Sequence, residues 1–335
     1  MEEKIRALFE TYAGKPCRSI SSLPLSGSAR RYFRLCDQEK SYIGVYHTNL
    51  LENELFINFT RHFQTKSLHV PEIYCVSSDQ TCYLQQDLGD QMLLRVVERE
   101  RTRTTGQLSS HLMTLYKKAL SELIRFQLIG GEGLDYARCL PRPTFDARCV
   151  LWDLNYFKYC FLKLCGVDVD EDALEADFTT LTEVICREST AAFMFRDFQS
   201  RNIIVLDEEV YFIDYQGGRR GALPYDVASL LCDPIVAIPP AQQEELLDFY
   251  VQELRHYREL SPESFKQAYP HFALIRLLQA LGAFGLRGLH ERKQHFIDSI
   301  LPGLQAINTL LTEQQAILHY PEIHRTIKNA LNIFK

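Results

Sequence analysis

The spacing of apolar residues changes character once along this chain, near residue 88, and that change limits the folds open to it. Before it, short apolar stretches bounded by turn residues read as strands at 19–25, 31–36, 42–46, 72–76 and 82–86, the first two flanking a Ser26-Gly27-Ser28 turn as a β-hairpin. Two helical stretches accompany them. Ile5, Leu8, Phe9 and Tyr12 mark a short amphipathic helix at the start, and Leu51, Leu55, Phe59 and Phe63 recur every four residues on a second, which carries Glu52 and Glu54. From Leu88 onward long amphipathic helices take over, roughly at 111–129, 147–164, 242–257 and 262–286. The pattern predicts an α+β chain of two lobes: a small antiparallel β lobe over 1–87 and a large, mainly helical lobe over 88–335.

One interruption breaks the helical half. Apolar stretches at 192–195, 203–206 and 209–213 read as short strands, and between and after them lie Asp197, Asn202 and Asp214. Singly, each is an ordinary turn residue, since Asp and Asn bond readily to neighbouring backbone. Together, on loops framed by apolar strands, they form the set that phosphoryl transfer requires. One carboxylate, Asp197, can orient and accept the proton of an attacking hydroxyl, while the amide oxygen of Asn202 and the carboxylate of Asp214 can hold Mg²⁺, a hard ion that takes oxygen ligands.

Bulk properties narrow the partners. A formal net charge of −6 over 335 residues lacks the clustered cations that coating a nucleic acid needs, so no nucleic-acid partner is expected. The N-terminal stretch is acidic and amphipathic without an apolar core of its own, and no run approaches the ~18 apolar residues of a membrane span, so a cytoplasmic protein without a membrane partner is expected. Ten cysteines contain no C-x-x-C pair and read as reduced, small apolar residues.

Arg196-Asp197-x4-Asn202 followed by Ile213-Asp214-Tyr215 resembles the catalytic loop and metal-binding Asp of the aminoglycoside phosphotransferases and their choline-kinase and protein-kinase relatives. Tyr225-Asp226 and the apolar residues after it resemble the family's next signature, in which Asp226 would brace the catalytic loop. The stretch 83–89 resembles the connection between lobes, where Gln85 and Gln86 would offer backbone groups to an adenine ring. The stretch 25–34 resembles the hairpin that covers the phosphates, with Gly27, Ser28 and Arg30 as nucleotide-binding residues. The resemblance implies a bilobal protein-kinase-like fold, an ATP and Mg²⁺-dependent transfer to a hydroxyl, and a small-molecule acceptor. Within that superfamily, the stretches 28–34, 150–157, 196–202 and 285–302 are most similar to the anomeric kinases of N-acetylmuramate and N-acetylglucosamine, which implies an amino-sugar acceptor and a place in cell-wall recycling. Asp153, Arg201 and Gln216 would then face the acceptor, and Arg219 and Arg220 would suit an anionic group on it. Trp152 is expected in the core.

Two positions depart from the family pattern. Phe195 stands where the loop usually carries His, and the third strand, Tyr42-Ile-Gly-Val-Tyr46, has no Lys to grip the α- and β-phosphates. Arg30, Arg31, Arg34 and Lys40 are the available substitutes, and Glu54 is the acid expected to pair with such a cation. The missing Lys also admits a catalytically impaired kinase fold acting as a nucleotide or sugar sensor, and acceptors such as choline, homoserine or an aminoglycoside stay open.

Overall fold

The computed structural model describes residues 1–24, 30–101 and 106–334; the expected phosphate-covering residues Gly27 and Ser28 lie outside them. Five strands, β1 (Ser19–Ser22), β2 (Arg31–Cys36), β3 (Ser41–Tyr46), β4 (Ile73–Val76) and β5 (Cys82–Gln86), form one antiparallel sheet in the order β1-β2-β3-β5-β4. Strand alternation gives the sheet two different faces. Phe33, Leu35, Tyr42 and Leu84 pack with Ile5 and Phe9 of helix α1 (Glu2–Ala13). Gly44 sits at the closest approach, where an added Cβ would run into Ile5 and Leu35. The other face carries Tyr32, Ile43, Val45 and Tyr83 and meets helix α2 (Leu50–Thr65), which Asn49 caps by accepting from Glu52 N–H.

α2 is also part of the larger core. Phe59 and Phe63 make edge contacts with Phe193, and Phe56 stacks on Tyr215 with ring centroids 5.0 Å apart. One apolar cluster thus runs from the sheet through α2 into α4 (Ser110–Leu128), whose first turn is reached from β5 by way of α3 (Leu93–Arg101).

The rest is helical. α5 (Ala147–Phe157), α6 (Glu171–Ile185), α7 (Pro224–Leu231), α8 (Pro240–Leu254), α9 (Pro262–Phe284), α10 (Gln294–Ile297), α11 (Ile300–Glu313) and α12 (Pro321–Phe334) complete the chain, and a second apolar cluster joins α5, α6, α9, α11 and α12. α3, α6, α7, α10, α11 and α12 exceed the helices expected from the sequence. Both α5 and α9 run on into a π-helical turn, and they cross so closely that a Cβ at Gly285 would strike the carbonyl oxygen of Cys160. Among the described residues one helical stretch, Pro262–His290, is long and apolar enough to cross a membrane, and most of it is buried inside the protein.

Four short strands interrupt the helices. β7 (Ile203–Leu206) and β8 (Glu209–Phe212) form a ribbon, whereas β6 (Ala192–Met194) pairs with β9 (Arg219–Gly221), a strand not expected from the sequence. The turn after Leu206 is tight, with Asp207 and Glu208 both at positive φ.

Candidate active site

β6 ends at Met194 and the chain turns sharply into the loop that carries Asp197. Arg196 adopts φ 84°, a left-handed conformation that a long side chain takes only when its surroundings compel it. The buried Asp226 of α7 is one cause, for its two carboxylate oxygens accept from the successive N–H groups of Phe195 (2.7 Å) and Arg196 (2.9 Å). Burial pushes this carboxyl up to about 7, against the pull of those two N–H groups. Phe195 itself is buried among Phe126, Phe198, Phe212 and Tyr215, so the position that departs from His is filled by aromatic packing.

Asp153 of α5 is the other cause. Its carboxylate grips the Arg196 guanidinium, which also donates to Tyr225 Oη (2.8 Å) and lies over the rings of both Phe145 and Tyr225. The expectation that Asp153 reads the acceptor is therefore corrected: its acceptor oxygens are engaged in holding the loop. Trp152, expected in the core, is instead 44% exposed.

Asp197 and Asn202 are held within one loop. The Asn202 Nδ2 donates to the Asp197 carbonyl (2.9 Å), which leaves its Oδ1 available to accept, and Asn202 O accepts from Ile213 N–H (3.1 Å), tying the loop to the segment that carries Asp214. Asp214, at φ 68°, accepts from Gln216 Nε2 (2.8 Å). Burial raises the Asp214 pKa; the Gln216 hydrogen bond opposes this, the charge of Asp197 adds to it, and Arg30 and Arg201 oppose it. The remaining Gln216 oxygen is buried with no hydrogen-bond partner among the described residues. An amide oxygen, a second amide oxygen without a partner among the described residues and a buried carboxylate are oxygen donors of the kind a hard divalent cation takes, so these residues fit Mg²⁺.

On the nucleotide side, the strand alternation that forms the two sheet faces sorts the candidate cations. Ile43 and Val45 occupy the β3 positions facing α2, so no cation issues from that strand. Arg31 lies on the opposite face, with Phe33 and Leu35. Lys40 stands at the far end of the β2–β3 ladder. Arg34 is engaged by Asp87 (2.6 Å) and Asp90 (2.8 Å), bracing β2 against the chain leaving the sheet. Arg30 is the one brought to the cleft: it is buried, its guanidinium lies 5.4 Å over the Phe56 ring, and Nη2 is 3.4 Å from Glu52 Oε1. Its charge reaches Asp214. Glu54, the expected partner, turns outward to Arg138 (2.5 Å), and Glu52 takes that place.

The expected adenine contacts are also corrected. β5 is paired on both sides, with β3 and β4, and Gln86 N–H donates to Glu72 O (2.8 Å), so the backbone of Gln85 and Gln86 is committed to the sheet. The Gln86 side chain lies on the α1 face, while Gln85 points to the cleft face with a buried Oε1 that has no partner among the described residues. On the acceptor side Arg201 is exposed, Arg219 is buried with its guanidinium on Gly217 O, and Arg220 lies over the Tyr136 ring. Sequence reasoning missed Arg276 of α9, whose Nη2 stands 3.8 Å from Asp197 Oδ1. A lone cation in the apolar run 272–281, with no acid three or four residues away, was the available signal.

Residues 23–262, which contain every group of this site except Arg276, match the phosphotransferase enzyme family. The chain belongs to this family. Membership makes it a small-molecule kinase, and the phosphotransferase fold accounts for the antiparallel sheet followed by a helical body. The chain is similar along its length to the N-acetylmuramate/N-acetylglucosamine kinase of Pseudomonas putida, with 21% identity covering 96% of this chain and 93% of that one. Among solved structures, it resembles the choline kinase of Cryptosporidium parvum (TM-score 0.65, 12% identity, 98% of this chain and 100% of that one). It also resembles an amicoumacin kinase determined with AMP-PNP and Ca²⁺ (TM-score 0.57, 11% identity, 90% and 96%). At these identities the two structures establish the common phosphotransferase fold.

Proposed function

We propose that this phosphotransferase moves the γ-phosphoryl group of ATP to a hydroxyl of an N-acetylated amino sugar of the N-acetylmuramate or N-acetylglucosamine kind. The observation that carries the reading is the proximity of Asp197, Asn202 and Asp214, joined through the Asn202–Asp197 and Ile213–Asn202 hydrogen bonds, with the charge of the buried Arg30 reaching Asp214. Similarity along nearly the whole chain to a kinase named for these two sugars supports the acceptor.

Asp197 accepts a hydrogen bond from the acceptor hydroxyl, aligns its oxygen with the γ-phosphorus and receives its proton as the new P–O bond forms and ADP departs. A carboxylate is a weak base, so most of its effect is positioning, with proton transfer late. Asn202 Oδ1 and the Asp214 carboxylate would hold Mg²⁺, assisted by Gln216. When bound, the ion supplies charge neutralisation to the phosphate oxygens. Arg30, steadied by Glu52, grips the α- and β-phosphates in place of the absent strand lysine. The boundary between nucleotide and acceptor lobes falls at 87/88, and the enzyme works in the cytoplasm without a nucleic-acid or membrane partner.

The test is phosphate transfer from Mg·ATP to N-acetylmuramate, N-acetylglucosamine, choline and kanamycin. Turnover is expected on an N-acetyl sugar, and Asp197→Asn is expected to lower it about a thousandfold while the thermal shift with Mg·ATP survives. Asp214→Asn is expected to remove the magnesium dependence of that shift. Turnover on choline or kanamycin alone would refute the amino-sugar assignment.

A further inference from the structure

Arg276 is a cation in the inner part of α9, whose other charged residues, Glu263 and Lys266, lie in its first two turns. Its neighbours from Phe272 to Leu278 are buried, and its own side chain is only 7% exposed. Burying a guanidinium is costly unless hydrogen bonds and opposite charge compensate it. Two of its nitrogens are used this way: Nε donates to Ser229 Oγ on α7 (2.9 Å), and Nη1 to Gln279 Oε1 (2.5 Å). Nη2 makes no hydrogen bond among the described residues. It stands 3.8 Å from Asp197 Oδ1, too far for a hydrogen bond and near enough for charge attraction. The other acid within its electrostatic reach, Asp233, has Oδ1 engaged by Ile235 N–H. Asp197, in contrast, keeps 44% of its side chain exposed. The guanidinium and the carboxylate therefore border the same opening, the one an acceptor hydroxyl must enter, with a gap between them that an oxygen atom can bridge.

We propose that Arg276 determines acceptor specificity in this kinase by donating from Nη2 to an oxygen that neighbours the reacting hydroxyl. The site then takes neutral or anionic oxygen-rich alcohols and rejects alcohols that carry an ammonium group beside the hydroxyl. An acceptor oxygen gains a charge-assisted hydrogen bond there. An ammonium group in the same place meets a fixed like charge that cannot move away, because Ser229 and Gln279 hold it. The inference rests on Asp197 being the group that receives the acceptor hydroxyl, and is independent of which neutral alcohol is used.

The experiment compares kcat/KM within two matched pairs of acceptors that differ in charge: N-acetylglucosamine against glucosamine, and 3,3-dimethylbutan-1-ol against choline, its cationic isostere. The wild-type enzyme is expected to favour the neutral member by about a hundredfold. Arg276→Gln is expected to cut that ratio by at least about tenfold while the thermal shift with Mg·ATP is unchanged. Arg276→Lys, which keeps the charge and loses the fork, is expected to preserve the ratio at lower turnover. An unchanged ratio in a folded Arg276→Gln protein, or a wild-type preference for the cationic member, would overturn the proposal. Turnover confined to the dimethylbutanol pair, with its ratio falling in Arg276→Gln, would sink the amino-sugar reading and support the role of Arg276.

Discussion

Asp153 holds Arg196 by two parallel hydrogen bonds, Oδ1 from Nη2 at 2.5 Å and Oδ2 from Nη1 at 2.7 Å, with both side chains withdrawn from solvent. This fork joins α5 to the residue preceding the proposed catalytic base, so the position of Asp197 depends on a helix some forty residues earlier in the chain. Removing one partner of such a pair leaves the other charge buried and alone. Asp153→Ala is expected to cost about 3–5 kcal/mol of stability, measured by urea unfolding. It should also lower kcat more than tenfold with little change in the acceptor KM. A folded variant of wild-type stability whose acceptor KM alone rises would mean that Asp153 contacts the acceptor after all.

Arg30 and Glu52 make a separable prediction on the nucleotide side. Because the cation approaches the cleft from the start of β2 and its acid from the first turn of α2, Arg30→Ala is expected to raise KM for Mg·ATP by about tenfold or more. Glu52→Gln should do so by less, and both should leave the acceptor KM near wild type. Steady-state kinetics with each substrate varied in turn distinguishes this from a general loss of structure, and equal rises in both KM values would contradict it.

His271 of α9 supplies a pH dependence far from the chemistry. Its ring is buried with Nδ1 2.8 Å from Tyr320 Oη, and burial lowers its pKa to about 4. The unfolded chain, with an ordinary imidazole near 6.5, then binds more protons than the folded one between pH 6.5 and 4. Stability is fully present above pH 6.5 and falls as the pH drops towards 4, by about 2 kcal/mol once residual solvation of the ring is allowed for. His271→Gln should lack that part of the slope when Tm is followed from pH 7 to 4.5; an identical slope would locate the acid sensitivity elsewhere.

What could be read from the chain in advance was what depends on near neighbours. Strand alternation in 31–36 and 42–46, the four-residue spacing of Leu51 to Phe63 and the turn-rich interval around Asp197 all declare themselves locally. Partnerships between distant segments did not. β9 is three residues long and forms because β6 lies beside it, so nothing in Arg219–Gly221 alone marks a strand. Glu52 and Glu54 are two positions apart on one helix and hence point about 200° apart. Which one faces the cleft depends on how α2 is rolled against the sheet. Asp153 looked free to meet a ligand because its partner, Arg196, is forty-three residues away.

The stacking of Phe56 on Tyr215 has a consequence for control. Tyr215 follows the proposed metal ligand Asp214, its hydroxyl lies 2.5 Å from Thr60 Oγ, and both Phe56 and Thr60 belong to α2. In a kinase turned on and off by swinging this helix, the helix must be able to leave; here its departure would tear open an aromatic core that also underlies the catalytic loop. Any such swing of α2 would thus expose buried aromatic surface and break the Thr60–Tyr215 hydrogen bond.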